Sequence, residues 1–232
     1  MISTLEKHFK ATITGKALKK SIKVYNQGRV LLKKLDELRH RSEVPITGSD
    51  AMAILIAGHA MPREQWGAML EDIIADLEKT PAVSDHKKRL MLVGSANDDV
   101  DFIGLIEEGG AIVVADTVCF GSRSYENLVD EKLDPIPTLA SHYLNNSICP
   151  RMLGGYKDRR SYIRDLANRT AVDGVILQNV RFCDLHGSEN GVLERDLEAA
   201  GIPCMRLERE YGPLVETGRI RMRLDAFMER IS

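Results

Sequence analysis

The chain has 232 residues, an apolar content of 44% and a formal net charge of −2 at pH 7. This length can bury a sizeable core, either as one domain with an appendage or as two small domains. The nearly balanced charge argues against a nucleic-acid-binding surface. The sequence has neither an apolar run of about 18 residues nor a signal-peptide core after Met1, so we expect a cytoplasmic protein that does not span a membrane.

The first third of the sequence predicts helices only. Apolar residues recur at helical spacing over 17–40, and Ser49-Asp50 can cap a short apolar helix that ends near residue 58. A third helix is predicted over 63–80, where Pro62 suits the first turn. Because no strand pattern occurs before residue 88, we predict a helical segment over 1–87.

Short strands alternate with helices from residue 89 onward. Such alternation predicts right-handed crossovers and a parallel sheet. The strands are apolar throughout, which indicates a sheet covered on both faces. We therefore predict a three-layer α/β domain over 88–232, flavodoxin- or Rossmann-like, with a four-stranded parallel sheet. The predicted strands are 89–93, 111–115, 174–177 and 203–207, and the predicted helices are 98–108, 135–144, 162–169, 189–200 and 220–231.

Three of the four cysteines fall in predicted loops. Cys119 follows the second strand, Cys183 follows the third, and Cys149 precedes a proline. Loops that follow parallel strands meet at one edge of the sheet, so Cys119 and Cys183 can come close together. Grouped thiolates suit soft metals and iron–sulfur clusters. The sequence has no CxxC spacing, however, and isolated cysteines also occur as small buried hydrophobes. We assign that core role to Cys204, inside the fourth strand.

Two further side chains near these cysteines could carry chemistry. His186 could act as a ligand or proton donor, or could bond to backbone in a surface loop. Arg123, in a Gly-Ser-Arg tripeptide, could bind a phosphate or carboxylate with help from the turn's N–H groups. It could also form an ion pair with a nearby carboxylate such as Glu126. Neither GxGxxG nor GxxxxGK[ST] occurs, which disfavours NAD and P-loop nucleotides.

Five blocks of the sequence, in order, resemble subunits of the benzoyl-CoA reductase / 2-hydroxyacyl-CoA dehydratase family. The resemblance extends from about residue 15 to the end of the chain, and the ordered set is more specific than any one block. The blocks are YNQGRVLLKKLDELR, ADTVCFGSRSY, DGVILQNVRFCDLHG, GIPCMRLEREY and ETGRIRMRLDAFMERI.

The resemblance implies a subunit that pairs with a homologous partner and carries a four-iron four-sulfur cluster held by three cysteines. It also implies an ATP-dependent activator protein that delivers one electron at very low potential. The acyl-CoA thioester, or an aromatic ring conjugated to it, becomes a radical anion that loses water or takes up a proton and a second electron. Such chemistry needs a dry pocket beside a proton donor, with the CoA tail left at the surface.

Carried over residue by residue, the resemblance matches Cys183 to the cysteine of the family's FCD motif. Cys119 is a weaker ligand candidate. The family's other ligands belong to an N-terminal α/β half, so we expect an incomplete ligand set here. The chain would then be the C-terminal portion of a longer subunit, or a short subunit that needs a partner. Gln178 or Asn179 takes the place of a family histidine; their amides can bond a thioester oxygen but donate protons poorly.

We therefore predict a component of an iron–sulfur acyl-CoA reductase or dehydratase, with the benzoyl-CoA reductase branch favoured by the QNVRFCDLHG block. Cys183 and Cys119 are the predicted metal ligands, Arg123 contacts the cluster or substrate, and Gln178 and His186 are the predicted catalytic residues. Two alternatives remain open from the sequence. One is a non-catalytic module that docks a partner and holds no cluster of its own. The other is a flavodoxin-like domain that binds a small molecule without redox chemistry.

Overall fold

A computed structural model of the protein describes residues 1–145, 148–152, 154–212 and 217–232, which form a parallel sheet with helices on both sides. The strands are β1 (Lys88–Gly94), β2 (Ala111–Thr117), β3 (Gly174–Val180) and β4 (Cys204–Arg209). The helices are α1 (Ile2–Phe9), α2 (Gly15–His40), α3 (Gly48–Ala60), α4 (Arg63–Leu77), α5 (Val100–Glu108), α6 (Pro135–Asn145), α7 (Tyr156–Arg169), α8 (Asp184–Glu198) and α9 (Thr217–Arg230). Within the described ranges, no helix combines the length and the apolar character needed to cross a bilayer.

The four strands lie in the order β2-β1-β3-β4, and each neighbouring pair is parallel. This is the order of the first four strands of a flavodoxin-like sheet. The predicted α/β fold, with a four-stranded parallel sheet and a helical N-terminal segment, is confirmed. The strand order reverses between β1 and β3, where open sheets of this type usually bind ligands.

Apolar side chains cover both faces of the sheet. In β1, Leu90 and Leu92 face a core formed with α2 to α5 and α9, whereas Met91 and Val93 face a second core formed with α7 and α8. This two-sided burial explains why the strands are continuous apolar runs. The N-terminal helices share the first core with the sheet. The division of the chain between residues 87 and 88 stays a prediction.

Two element boundaries near the predicted site differ from expectation. β3 continues to Val180, so Gln178 and Asn179 lie in the strand instead of a loop. Their polarity resembles a loop only in sequence, because both side chains are buried and hydrogen-bonded. α8 begins at Asp184, which places Cys183 at its N-cap position and His186 in its first turn. An acidic residue in the first turn is favoured by the helix dipole.

Charged side chains occupy outward-facing backbone groups at both edges of the sheet. At the β2 edge, Val113 donates its N–H to Glu107 Oε1 (3.0 Å), and its carbonyl accepts from Arg39 (3.4 Å). At the β4 edge, Arg223 donates to the carbonyl of Arg206 (2.6 Å). The carbonyl of Cys204 accepts in the same way from Arg230. Capping of this kind blunts the tendency of exposed edges to pair with other strands.

Candidate functional site

The loop that follows β2 is shaped by Asp116, near the end of that strand. The Asp116 carboxylate accepts from the backbone N–H of Ser122 (2.8 Å) and of Val118 (3.4 Å), and the Ser122 hydroxyl donates to the Asp116 carbonyl (2.5 Å). A Cβ atom at Gly121 would lie 1.9 Å from Asp116 Oδ1, so only glycine fits there. The wrapped loop leaves the Cys119 side chain exposed.

A buried charge network connects this loop to α2. Arg39 pairs with Asp116 (3.3 Å) and with Asp36 (3.0 Å), and Tyr125 donates its hydroxyl proton to Asp36 (2.8 Å). Burial raises the pKa of Asp36 to about 6, although the Arg39 charge opposes the change. This network was not predicted from the sequence. The available signal was the Asp-Glu-Leu-Arg run on α2 together with an aspartate that ends an apolar strand.

Arg123 ties three segments together at the carboxyl edge of the sheet. Its guanidinium donates to the carbonyl of Gly94 after β1 (2.9 Å), to Cys119 Sγ in its own loop (2.8 Å) and to the carbonyl of Ile148 (3.4 Å). No ion pair of Arg123 occurs among the described residues, so the predicted alternative, a carboxylate partner such as Glu126, is not seen there. Its Nε is buried and has no hydrogen-bond partner in the described part of the chain.

The thiols of Cys119, Cys149 and Cys183 lie within electrostatic reach of one another. Burial raises the pKa of the Cys119 thiol, the Arg123 guanidinium lowers it, and the thiols of Cys149 and Cys183 raise it further. The structure thus brings Cys119 and Cys183 to one edge of the sheet, although their role as ligands stays a prediction. Cys204 is buried in the core, as predicted.

Cys149 was not among the predicted site residues, because it follows no strand. Its segment is held by the buried Arg159, which donates to the carbonyls of Cys149 (3.1 Å) and Met152 (3.2 Å). Arg159 also pairs with Glu189 of α8 (2.5 Å), the helix that begins next to Cys183. The only signal in the sequence was a third cysteine outside an apolar run; its position depends on contacts from distant elements.

His186 and Gln178, the predicted catalytic residues, are both buried. Burial, followed by the charges of Arg123 and Arg159, lowers the pKa of His186 to about 4, so its imidazole is neutral at pH 7. Gln178 donates to the carbonyl of Ser95 (2.7 Å) and accepts from Arg209 (3.3 Å). Both ends of that amide are engaged within the protein. Catalytic roles for the two residues stay predictions.

The backbones of β1 and β3 remain tightly packed at the switch point. Gly94 has a φ of 145°, and a Cβ there would lie 1.8 Å from the Gln178 carbonyl oxygen. Ser95 extends this contact: its N–H donates to the same oxygen (3.2 Å), and its hydroxyl accepts from the N–H of Val180 (3.0 Å). A cavity lies at this edge beside the loop that follows β2.

That cavity has a volume of about 570 Å³ and lies between the N-terminal helices and the carboxyl edge of the sheet. Cys119 and Cys149 lie in its wall together with Arg29, Arg63 and Arg123. None of the described residues that line it is an aspartate or a glutamate. Burial lowers the pKa of the two histidines in the wall, so the positive charge comes from the arginines. A cationic cavity with some apolar wall suits an anionic ligand.

The donor set can be compared with an iron–sulfur cluster. In the part of the chain that the structure describes, no three His, Cys, Asp or Glu side chains are close enough to share one metal ion. A four-iron cluster is wider than a single ion and takes its thiolates at separate corners, so its ligands stand farther apart. The three thiols therefore fit such a cluster in donor type.

Comparisons with known proteins point to one family. A family model described as 2-hydroxyglutaryl-CoA dehydratase, D-component, matches residues 1–231. The (R)-phenyllactyl-CoA dehydratase beta subunit of Clostridium sporogenes is 24% identical over 99% of this chain and 61% of its own length. A benzoyl-CoA reductase subunit of Thauera aromatica is 31% identical over 74% of this chain and 46% of its own length. The (R)-2-hydroxyglutaryl-CoA dehydratase beta subunit of Acidaminococcus fermentans is 23% identical over 94% and 59%. The chain thus spans less than two thirds of the length of these relatives.

Proposed function

Since the chain belongs to the 2-hydroxyglutaryl-CoA dehydratase D-component family, we propose that it is a subunit of an iron–sulfur acyl-CoA dehydratase or benzoyl-CoA reductase. The observation that carries the proposal is that the Cys119 thiol lies within electrostatic reach of Cys149 and Cys183, and that Cys119 and Cys149 line a cationic cavity. The resemblance in the FCD block supports Cys183 as a ligand. The electrostatic proximity of the other two thiols supports them as ligands as well.

The three cysteines would hold a four-iron four-sulfur cluster, which supplies one-electron chemistry at low potential when bound. Arg123 would stabilise the thiolate form of Cys119, because its guanidinium already donates to that sulfur. With Cys149 as the third ligand, the set lies within this chain, so the ligands expected from an N-terminal α/β half are not needed. The cavity beside Cys119 and Cys149 would receive the acyl group, and its arginines would attract the anionic acyl-CoA.

Anaerobic reconstitution with iron and sulfide tests the cluster. The wild-type chain should turn brown, with a broad absorption band near ~400 nm and about four irons per chain. Single alanine variants of Cys119, Cys149 and Cys183 should each lose most of the band. Cys204→Ala is the matched control, since that thiol is buried in β4, and it should keep the band.

Two outcomes would contradict this proposal. One is a variant without all three cysteines that binds as much iron as the wild type. The other is a colourless wild-type chain that still assembles with a homologous subunit. The second outcome would favour the alternative of a non-catalytic docking module.

We also propose that the partner subunit meets the carboxyl edge at Phe182. This side chain is 90% exposed and adjoins Cys183, and its φ of 64° is a left-handed conformation that costs a non-glycine residue about 1 kcal/mol or more. An exposed aromatic ring held at such a cost suits an interface anchor. Co-expression with the homologous subunit and gel filtration should show a complex that Phe182→Asn weakens. The control Phe9→Asn, on α1, should leave the complex intact, and equal effects of the two would refute the assignment.

A further inference from the structure

A buried arginine in the cavity wall lacks a carboxylate partner. Arg29 of α2 is 8% exposed. Its guanidinium donates to the Asn26 side-chain oxygen (3.2 Å) and lies 3.5 Å from the Tyr143 hydroxyl, both of which are neutral groups. The nearby Glu131 bonds to Asn26 (2.9 Å) instead. Among the described residues Arg29 has no ion pair, and an unpaired buried charge is costly to keep.

A second arginine on the same wall is held by aromatic rings alone. The Arg63 guanidinium lies 4.9 Å from the ring centre of Tyr25 and 5.2 Å from that of Trp66. No hydrogen bond or ion pair of Arg63 is found within the described ranges. Cation–π contacts use the face of the guanidinium and leave its N–H donors available.

The two guanidinium groups belong to one patch. Tyr25 and Arg29 are one helical turn apart on α2, and Arg63 lies over the Tyr25 ring. All three side chains line the cavity, in which no described residue carries a carboxylate. Two arginines in the wall of one cavity, whose described lining contains no carboxylate, can bind a planar or tetrahedral oxyanion.

We propose that Arg29 and Arg63 bind an oxyanion of the ligand, a carboxylate or a phosphate group. The identity of that ligand rests on the proposed function. For an acyl-CoA, the oxyanion is either a second carboxylate on the acyl chain or a phosphate of CoA. The bound anion supplies the charge that Arg29 lacks, so the cost of the buried cation is recovered on binding.

A purely structural role for Arg29 predicts a different outcome from a ligand-binding role. Arg29→Met keeps most of the side-chain volume and removes the charge, while Asn26 still accepts from the N–H of Val129 (3.0 Å). If Arg29 serves to bind a ligand, the melting temperature of this variant without ligand is no lower than that of the wild type, because replacing an uncompensated charge by an apolar group is neutral or stabilising. If Arg29 instead stabilises the fold through its hydrogen bonds, the melting temperature of the variant is lower than that of the wild type.

The test uses the purified chain without iron, so it is independent of cluster assembly. Thermal shift and calorimetry are measured with glutarate, inorganic phosphate and coenzyme A as separate probes. At least one probe should raise the melting temperature of the wild type. Arg29→Met and Arg63→Gln should each bind it about 10- to 100-fold more weakly, the range for losing a charged hydrogen bond. The control Arg164→Gln, an exposed residue of α7, should bind as the wild type does.

The probes distinguish the source of the oxyanion. A shift with glutarate assigns the site to a carboxylate of the acyl chain, whereas a shift with coenzyme A or phosphate alone assigns it to a phosphate. No shift with any probe overturns the inference, as does a shift that survives in both cavity variants. A chain that fails to bind iron but shows the arginine-dependent shift refutes the proposed cluster and leaves the oxyanion site in place.

Discussion

Replacing Asp116 with alanine should lower the free energy of unfolding, because it removes most of the contacts that hold the Cys119 loop in place. The variant removes a carboxylate that is buried against Arg39, with side-chain exposures of 1% and 3%. It also removes the acceptor for the backbone N–H groups of Ser122 and Val118. Arg39 keeps a second partner in Asp36, so its charge is not fully stranded.

The magnitude follows from these contacts. Breaking a buried ion pair by deleting one partner costs about 3–5 kcal/mol. The remaining Asp36 pair favours the lower end of that range, and each N–H left without an acceptor adds about 1–3 kcal/mol unless water reaches it. We expect a loss of about 4 kcal/mol from a total of about 5–15 kcal/mol. Asp116→Asn keeps an oxygen acceptor for the loop and should lose about half as much.

Urea denaturation at pH 7 measures these losses as changes in the midpoint at constant slope. The matched control is Asp165→Ala, which breaks an ion pair with Arg164 whose side chains are 61% and 44% exposed. That control should cost no more than about 1 kcal/mol. If Asp116→Ala costs no more than this control, the buried network does not support the loop and the reasoning fails.

Three other changes follow from single features. Gly94→Ala should lower the free energy of unfolding by more than about 2 kcal/mol, because its Cβ would meet a carbonyl oxygen at 1.8 Å. Gly104→Ala, in a helix with nothing within 4 Å, should be neutral or stabilising by up to about 1 kcal/mol. Equal effects of the two would contradict the tight packing of β1 against β3. The folded-state pKa of His186, lowered to about 4, lies below its unfolded value of about 6.5. The stabilisation from its neutral ring is therefore present above about pH 6.5 and is lost as the pH falls towards 4. His186→Gln should accordingly flatten the dependence of the unfolding free energy on pH in this range. An unchanged curve would contradict a buried neutral ring. Phe182→Asn should not lower the melting temperature, since asparagine tolerates the left-handed backbone and the ring is exposed; a clear drop would mean that the ring packs on the protein.

The sheet could be predicted from the sequence because burial on both faces leaves a local trace. Apolar runs such as 111–115, separated by helical patterns, required no knowledge of distant contacts. The end of β3 could not be found in this way. Gln178 and Asn179 are polar residues inside the protein, and the groups that satisfy Gln178 belong to Ser95 and Arg209 on other elements. Local polarity therefore indicated a loop where tertiary hydrogen bonds maintain a strand.

Only those parts of the candidate site whose positions depend on the topology of the parallel sheet could be predicted from the sequence. Loops after parallel strands share one edge, which is sufficient to place Cys119 near Cys183. The position of Cys149 depends on Arg159, and the cavity depends on how the N-terminal helices pack on the sheet. Neither contact has a periodic signature. The burial of Arg29 could not be predicted either, since arginines on a long helix are usually solvated.

The guanidinium and carboxylate groups along β2 and β4 restrict how this protein can assemble. A neighbouring chain can add a strand to this sheet only if the hydrogen bonds between those side chains and the edge backbone break first. The charged side chains would then lose their partners. Growth by strand addition, the common path to fibrils and to swapped dimers, is thereby penalised on both flanks. A second subunit is left with the helical surfaces and the strand-end loops as places to attach, and two of those loops carry Cys119 and Cys183.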